Sequence, residues 1–247
     1  SSFVEVEALI FLLDYDGTLV PIVSRPELAA PDAELVALLR DVAARAAVHI
    51  VSGRPRDVLD AWLGDLPVAL HAEHGLWSRA AGAPWAARFE VDPTWLREAD
   101  RAMAAVASAV PGAHVERKTG SLAWHYRNAE DSLALPALAR LEEELSPLAR
   151  ARGLDLLHGS RVLELRDARA NKGAVAREIA TSAAPGSRIV AFGDDTTDED
   201  MFAALHDLAG ALTIKVGGAP TIARERVDGP TEARNRLRQL ATAAERF

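Results

Sequence analysis

Six apolar residues, Ala8 to Leu13, run without interruption and stop at a polar turn, Asp14-Tyr15-Asp16-Gly17-Thr18. A short apolar run closed by a turn predicts a strand buried on both faces of a parallel sheet. From Asp32 the apolar positions switch to helical spacing, with Leu35, Leu38, Leu39, Val42 and Ala46 on one side. Pro31-Asp32 supplies a helix start. Ala47 to Val51 reads as a second strand, ending in Ser52-Gly53-Arg54-Pro55. A helix over Arg56 to Leu63, stopped by Gly64, and a strand over Val68 to Ala72 follow. Strands alternating with helices predict a parallel α/β sheet.

The pattern then changes. Trp77 to Ala87, rich in Gly, Pro and Trp, reads as a loop. A helix is expected over Pro93 to Ala109, before Pro111-Gly112. Two strand-like pieces come next, His114 to Lys118 and Ser121 to Arg127. In the second, Leu122, Trp124 and Tyr126 alternate with Ala123, His125 and Arg127, the period of a sheet with one face covered. A helix over Leu133 to Ala151 and strands over Leu154 to Leu157 and Val162 to Arg166 complete a helix–hairpin–helix–hairpin unit. The parallel pattern resumes with a helix from Lys172 to Ala183 and a strand from Ile189 to Phe192. A helix over Asp198 to Leu205, a strand over Leu212 to Val216 and a closing helix over Thr231 to Phe247 end it. The expected fold class is α/β: a Rossmann-like parallel core with helices on both faces, and an inserted α+β cap with an antiparallel sheet. Core boundaries are expected at 1–77 and 168–247, with the cap at 78–167.

Composition narrows the chemistry. The 247 residues are 49% apolar, ample for a core. There is no Cys, which excludes a disulfide framework, a thiol nucleophile and thiolate metal ligands. The formal charge of -8 argues against a general nucleic-acid or anionic-membrane surface. No apolar run reaches transmembrane length. The first residues, SSFVEVEALIF, lack the basic region of a signal peptide. A soluble cytoplasmic protein is the expectation.

Four polar clusters fall at strand ends or a helix start of one core: Asp14 with Asp16, Ser52, Lys172, and the acidic run Gly193 to Asp200. Ligands of open parallel sheets bind at the carboxyl ends of the strands. Two carboxylates aimed the same way repel each other, and a divalent cation with oxygen ligands relieves that. A strand-end Asp can attack a phosphoryl group. An acid two residues on can protonate the leaving oxygen and then take a proton from water. Ser52 can donate to a phosphoryl oxygen and Lys172 can neutralise the charge that phosphoryl transfer spreads. A cation at a helix N-terminus opposes the dipole, so Lys172 makes most sense beside a bound anion. Asp194, with Asp195 or Asp198, would complete a magnesium site with Asp14.

These four clusters, in this order, resemble the haloacid dehalogenase superfamily of phosphohydrolases. The resemblance implies Asp14 as nucleophile and Asp16 as general acid/base, Asp16 also binding Mg2+ through its carbonyl. It implies Ser52 and Lys172 as phosphate binders. It also implies Asp194 as a metal ligand, with Asp195 and Asp198 as ligands or supports. DYDGTLVPIVSRPELA, VERKTGSLAWHYRNAE and GDDTTDEDMF together are similar to the trehalose-6-phosphate phosphatase family over about Leu9 to Leu240. That likeness implies sugar contacts from Glu116, Lys118 and Glu164. It implies further substrate contacts from Thr18, Gly53, Arg54, His74 and Gly75.

It also implies a small-molecule sugar phosphate substrate, a monomer, and a separate synthase in the pathway. Glu116 and Lys118 also suit a surface ion pair. His71 and His74, an HxxH pair with no third ligand signal, read as turn and packing residues. Trp124 and Tyr126 read as cap core, and Arg234 to Arg238 as a solvated helix face. The substrate stays open at this point between trehalose 6-phosphate, sucrose 6-phosphate, mannosyl-3-phosphoglycerate and a hexose phosphate. A phosphomutase and a phospho-accepting receiver domain are the remaining alternatives.

Overall fold

A computed structural model describes residues 8–243. The N-terminal SSFVEVE and the last four residues of the expected closing helix lie outside the described residues. In chain order the elements begin with β1 (Leu9–Leu13), α1 (Ala33–Ala43), β2 (Ala47–Val51), α2 (Arg56–Leu63), β3 (Ala69–Ala72), β4 (Trp77–Arg79) and β5 (Ala86–Ala87). Next come α3 (Pro93–Ala109), β6 (His114–Arg117), β7 (Ser121–His125), α4 (Asp131–Arg152), β8 (Leu154–Gly159) and β9 (Val162–Asp167). The chain ends with α5 (Lys172–Ser182), β10 (Arg188–Gly193), α6 (Thr196–Leu205), β11 (Ala211–Val216), β12 (Glu225–Val227) and α7 (Pro230–Ala243).

Of the described residues, those up to Arg88 and those from Asn171 onward form one compact unit; Phe89–Ala170 form another. The first unit holds an eight-stranded sheet in the order β12-β11-β10-β1-β2-β3-β4-β5. It is parallel from β12 to β3 and antiparallel at β4 and β5. β1 is buried along its whole length, and its alternation decides which layer each residue enters. Leu9, Phe11 and Leu13 join a cluster with Leu35, Leu39, Leu59, Leu63 and Leu237, from α1, α2 and α7. Ile10 and Leu12 join Val175, Ile179, Met201 and Phe202, from α5 and α6. Successive side chains of a strand point to opposite faces, so helices cover both. Asp32 caps α1 by accepting from the Leu35 amide at 2.7 Å.

The second unit is a four-stranded antiparallel sheet, β6-β7-β9-β8. One face packs Leu122, Trp124, Leu163 and Leu165 against Trp95, Ala99 and Met103 of α3 and Leu141 and Leu145 of α4. Trp124 and Tyr126 stack with ring centroids 5.1 Å apart, inside this core as expected.

Two readings need correction. Trp77 to Ala87 is not a loop: β4 and β5 extend the first sheet, with Trp77 opposite Ala72. Strands of three and two residues are too short to show alternation. This hairpin therefore stays with the core, and the second unit begins at Phe89 rather than at residue 78. β12, an edge strand of Glu225, Arg226 and Val227, holds a single apolar residue and was not expected. Among the described residues no helix is long and apolar enough to cross a membrane. In α7, Arg234 donates to the Leu19 carbonyl at 2.7 Å and pairs with Asp32, while Arg236 pairs with Glu225. Arg234 and Arg236 are thus tied to other elements, while Arg238 stays exposed.

His49, His71 and Ser78 join β2, β3 and β4 through side chains. His49 Nδ1 lies 3.0 Å from His71 Nε2, and His71 Nδ1 lies 2.7 Å from Ser78 Oγ. Burial pushes His71 down to about 3 and His49 to about 4. Their folded values lie below the unfolded one, so both rings contribute stability that is lost as pH falls below about 6.5. Each ring adds a slope of at most about 1.4 kcal/mol per pH unit. Urea titrations of the wild type should show this acid loss, and His71→Gln should flatten it. An unchanged slope would contradict buried neutral imidazoles. Trp124→Ala should cost about 3–5 kcal/mol in the same measurement.

Candidate active site

β10, β1 and β2 are parallel neighbours, so their carboxyl ends converge. Asp14 follows β1, and its amide donates to the Phe192 carbonyl at 3.0 Å. Ser52 follows β2, and its amide donates to the His71 carbonyl at 3.0 Å. Asp194 follows β10. Lys172 opens α5, which Asn171 caps by accepting from the Gly173 amide at 2.7 Å.

The side chains then meet. Lys172 Nζ donates to Asp14 Oδ1 at 2.7 Å and to Asp198 Oδ1 at 2.8 Å. Lys172 is 3% exposed, Asp14 5% and Asp198 0%. Asp198 Oδ2 accepts from the amides of Asp194 and Asp195, each at 3.0 Å. One carboxylate therefore holds both the ammonium and the start of the acidic turn. Thr18 Oγ1 donates to Asp14 Oδ2 at 2.8 Å and approaches Asp194 Oδ1 at 3.3 Å. Gly17 has φ +77, and a Cβ there would stand 2.0 Å from Asp194 Oδ2. Only glycine fits that approach.

Oxygens of Asp14, Asp194 and Asp198 all lie within 4.8 Å of one another. Burial pushes Asp14 up to about 7 against the pull of Lys172, and Asp198 likewise. Asp194 is raised for the same reason. Burial acts to lower Lys172, but Asp14 and Asp198 outweigh it and hold it protonated. One ammonium cannot neutralise three carboxylates, and the donors are all hard oxygens. That set fits a divalent cation of the magnesium class, with Asp14 and Asp194 the carboxylates placed to hold it. Asp195 is not drawn in. It is exposed and caps α6, accepting from the Thr196 amide at 2.7 Å. The Asp16 carboxylate is also outside this group.

Asp16 instead faces Arg54. The guanidinium makes a fork, Nε to Oδ2 at 2.8 Å and Nη2 to Oδ1 at 2.6 Å. Arg54 also donates to the Pro26 carbonyl at 3.1 Å and lies over Trp62 at 4.9 Å. Arg54 was expected to meet substrate; its partner 38 positions away is invisible in local spacing. Ser52 Oγ accepts from the Arg54 amide at 3.0 Å. His74 donates its amide to the Ser52 carbonyl at 2.9 Å, and Glu73 to that of Arg54 at 3.0 Å. Glu73, His74 and Gly75 all have positive φ, of 48, 57 and 98. Two consecutive non-glycine residues in that region store strain beside the site. The His74 ring leaves no room for a Cβ on Gly53, which would lie 2.7 Å from Nε2.

In the second unit, Glu116, Lys118 and Glu164 do share a sheet face. Glu116 pairs across to Ala123, and Ala123 across to Glu164. Lys118 Nζ lies 3.9 Å from Glu164 Oε2. His125 was read only as an alternating position, yet its Nε2 lies 2.7 Å from Glu116 Oε2.

The trehalose-phosphatase family model matches residues 12–239. The chain is 44% identical to a bifunctional trehalose-6-phosphate synthase/phosphatase of Thermoproteus tenax, over 97% of this chain and 33% of that protein. It is 33% identical to a trehalose-6-phosphate phosphatase-related protein of Thermoplasma acidophilum, over 92% of this chain and 94% of the other. The C-terminal domain of Candida albicans trehalose-6-phosphate phosphatase superimposes with a TM-score of 0.86 at 28% identity, covering 96% and 93% of the two chains. The chain spans between a quarter and a third of the first curated relatives it matches.

Lys172→Met would leave two buried carboxylates without their counter-charge. Breaking a buried pair in this way costs about 3–5 kcal/mol. Urea unfolding should show a loss of that size, and a loss below about 1 kcal/mol, the scale of an exposed pair, would contradict this arrangement.

Proposed function

The chain belongs to the trehalose-phosphatase family, and from that premise we propose that it hydrolyses trehalose 6-phosphate to trehalose and phosphate by the chemistry of the haloacid dehalogenase superfamily. A carboxylate oxygen of Asp14 attacks phosphorus, and the bond from phosphorus to the sugar oxygen breaks. Asp16 gives its proton to that leaving oxygen. The aspartyl-phosphate on Asp14 is then opened by water, which Asp16 deprotonates. Lys172 and Ser52 hold the phosphoryl oxygens. Thr18 and Lys172 fix the plane of the Asp14 carboxylate before substrate arrives, so little reorganisation remains for the reaction itself. The Arg54 fork bonds both Asp16 oxygens, so it must release one of them before Asp16 can carry a proton to the leaving oxygen.

Asp14 and Asp194, with the Asp16 carbonyl, would hold Mg2+, which when bound supplies positive charge to the phosphoryl oxygens. The observation that carries this reading is the buried cluster itself, a strand-end carboxylate locked to Lys172 beside two further acids. In the second unit Glu116, Lys118 and Glu164 would read the sugar hydroxyls, as acceptors and a donor on one face.

Phosphate release from trehalose 6-phosphate, sucrose 6-phosphate, mannosyl-3-phosphoglycerate and glucose 6-phosphate tests the substrate. Trehalose 6-phosphate should be turned over with the highest kcat/KM, and chelation should stop release until Mg2+ returns. Equal rates on all four, or release that survives chelation, would reject the proposal. Asp14→Asn should abolish turnover, because an amide oxygen is a poor nucleophile.

A further inference from the structure

Glu116 is not alone on its sheet face. Its Oε2 lies 2.7 Å from His125 Nε2 on the neighbouring strand. The His125 ring stacks on that of His114, with centroids 4.9 Å apart and planes 9° apart. His114 sits directly across from His125 in the register. The alternate residues of β7, Leu122 and Trp124, enter the core, so His125 belongs to the opposite, polar face. The side chains of Glu116 and His125 stay 39% and 30% exposed. The His125 bond holds the Glu116 carboxyl down at about 2, against burial, with Lys118 adding to it. Glu116 is thus ionised at any working pH and can only accept hydrogen bonds.

We propose that His125 is a positioning residue that aims Glu116 at the hydroxyls of a neutral sugar. The inference rests on the reading of Glu116 as a sugar contact and deepens it. A free Glu side chain loses considerable rotamer freedom when a ligand fixes it. A stacked imidazole has few torsions of its own, and its N–H holds one carboxylate oxygen in place. The remaining lone pairs then meet sugar hydroxyls without a fresh ordering cost. An acceptor-only group also repels a leaving group that carries its own carboxylate or second phosphate. Selection of an uncharged polyol over an anionic one follows. The charged and titratable groups nearest this pair on the same face are His114, Lys118 and Glu164.

H125Q and H125N separate the roles, because both are polar and similar in size. Gln carries an amide N–H about as far as Nε2, whereas Asn stops near the Nδ1 position. KM and kcat are measured for trehalose 6-phosphate and for 4-nitrophenyl phosphate, with melting temperatures recorded for every variant. H125N should raise KM for the sugar phosphate roughly tenfold, with a much smaller change for the aryl ester. H125Q should stay within about threefold of wild type. In an E116A background H125N should add nothing further. Equal behaviour of H125N and H125Q, additivity with E116A, or equal KM changes on both substrates would overturn the positioning role. If E116A itself weakens both substrates alike, the sugar reading of Glu116 falls and takes this inference with it. A selective E116A beside an unselective H125N rejects the His125 role alone.

Discussion

The ammonium of Lys172 sits between the carboxylates of Asp14 and Asp198, almost out of reach of water. A buried ion pair is weak evidence for stability, because desolvation can cancel the attraction. What it does here is fix positions. The helix start that carries Lys172 is tied to the end of β1 through Asp14. It is tied to the start of α6 through Asp198, whose second oxygen gathers the Asp194 and Asp195 amides. The ammonium thus adds a side-chain tie to the β1–β10 pairing that already brings Asp194 beside Asp14.

Two acids two residues apart receive different surroundings. Asp14 is enclosed and bound by Lys172 and Thr18. Asp16 is held from the other side by a guanidinium fork, and its side chain stays 30% exposed. The second unit has its own core and its own polar face. On the proposed reading, phosphoryl chemistry and sugar recognition would fall to two separately packed units.

Much of this was legible along the chain. The uninterrupted run Ala8 to Leu13 specified β1 because a doubly covered strand needs apolar residues on both sides. Pro93 to Ala109 came through with the same ends as α3, since proline and a capping Asp mark one end and Pro111-Gly112 the other. The convergence of Asp14, Lys172 and Asp194 followed from their placement at two strand ends and a helix start. What the chain hid were pairings across long separations and elements too short for a period. Arg54 with Asp16 and His125 with Glu116 are set by sheet order and register, which no local window contains. β4, β5 and β12 have at most three residues each, below the length at which alternation can be read. Asp195, read from the acidic run as a metal ligand or support, caps α6 in the structure, a contact its place in the run did not show.

The proposed reaction puts a phosphoryl group on the Asp14 carboxylate. Rapid acid quenching during steady-state hydrolysis of radiolabelled trehalose 6-phosphate, followed by peptide mapping, reads that directly. The label should appear, labile to hydroxylamine, on the peptide that carries Asp14. Rapid turnover with no protein-bound label, or label on any other residue, would contradict it.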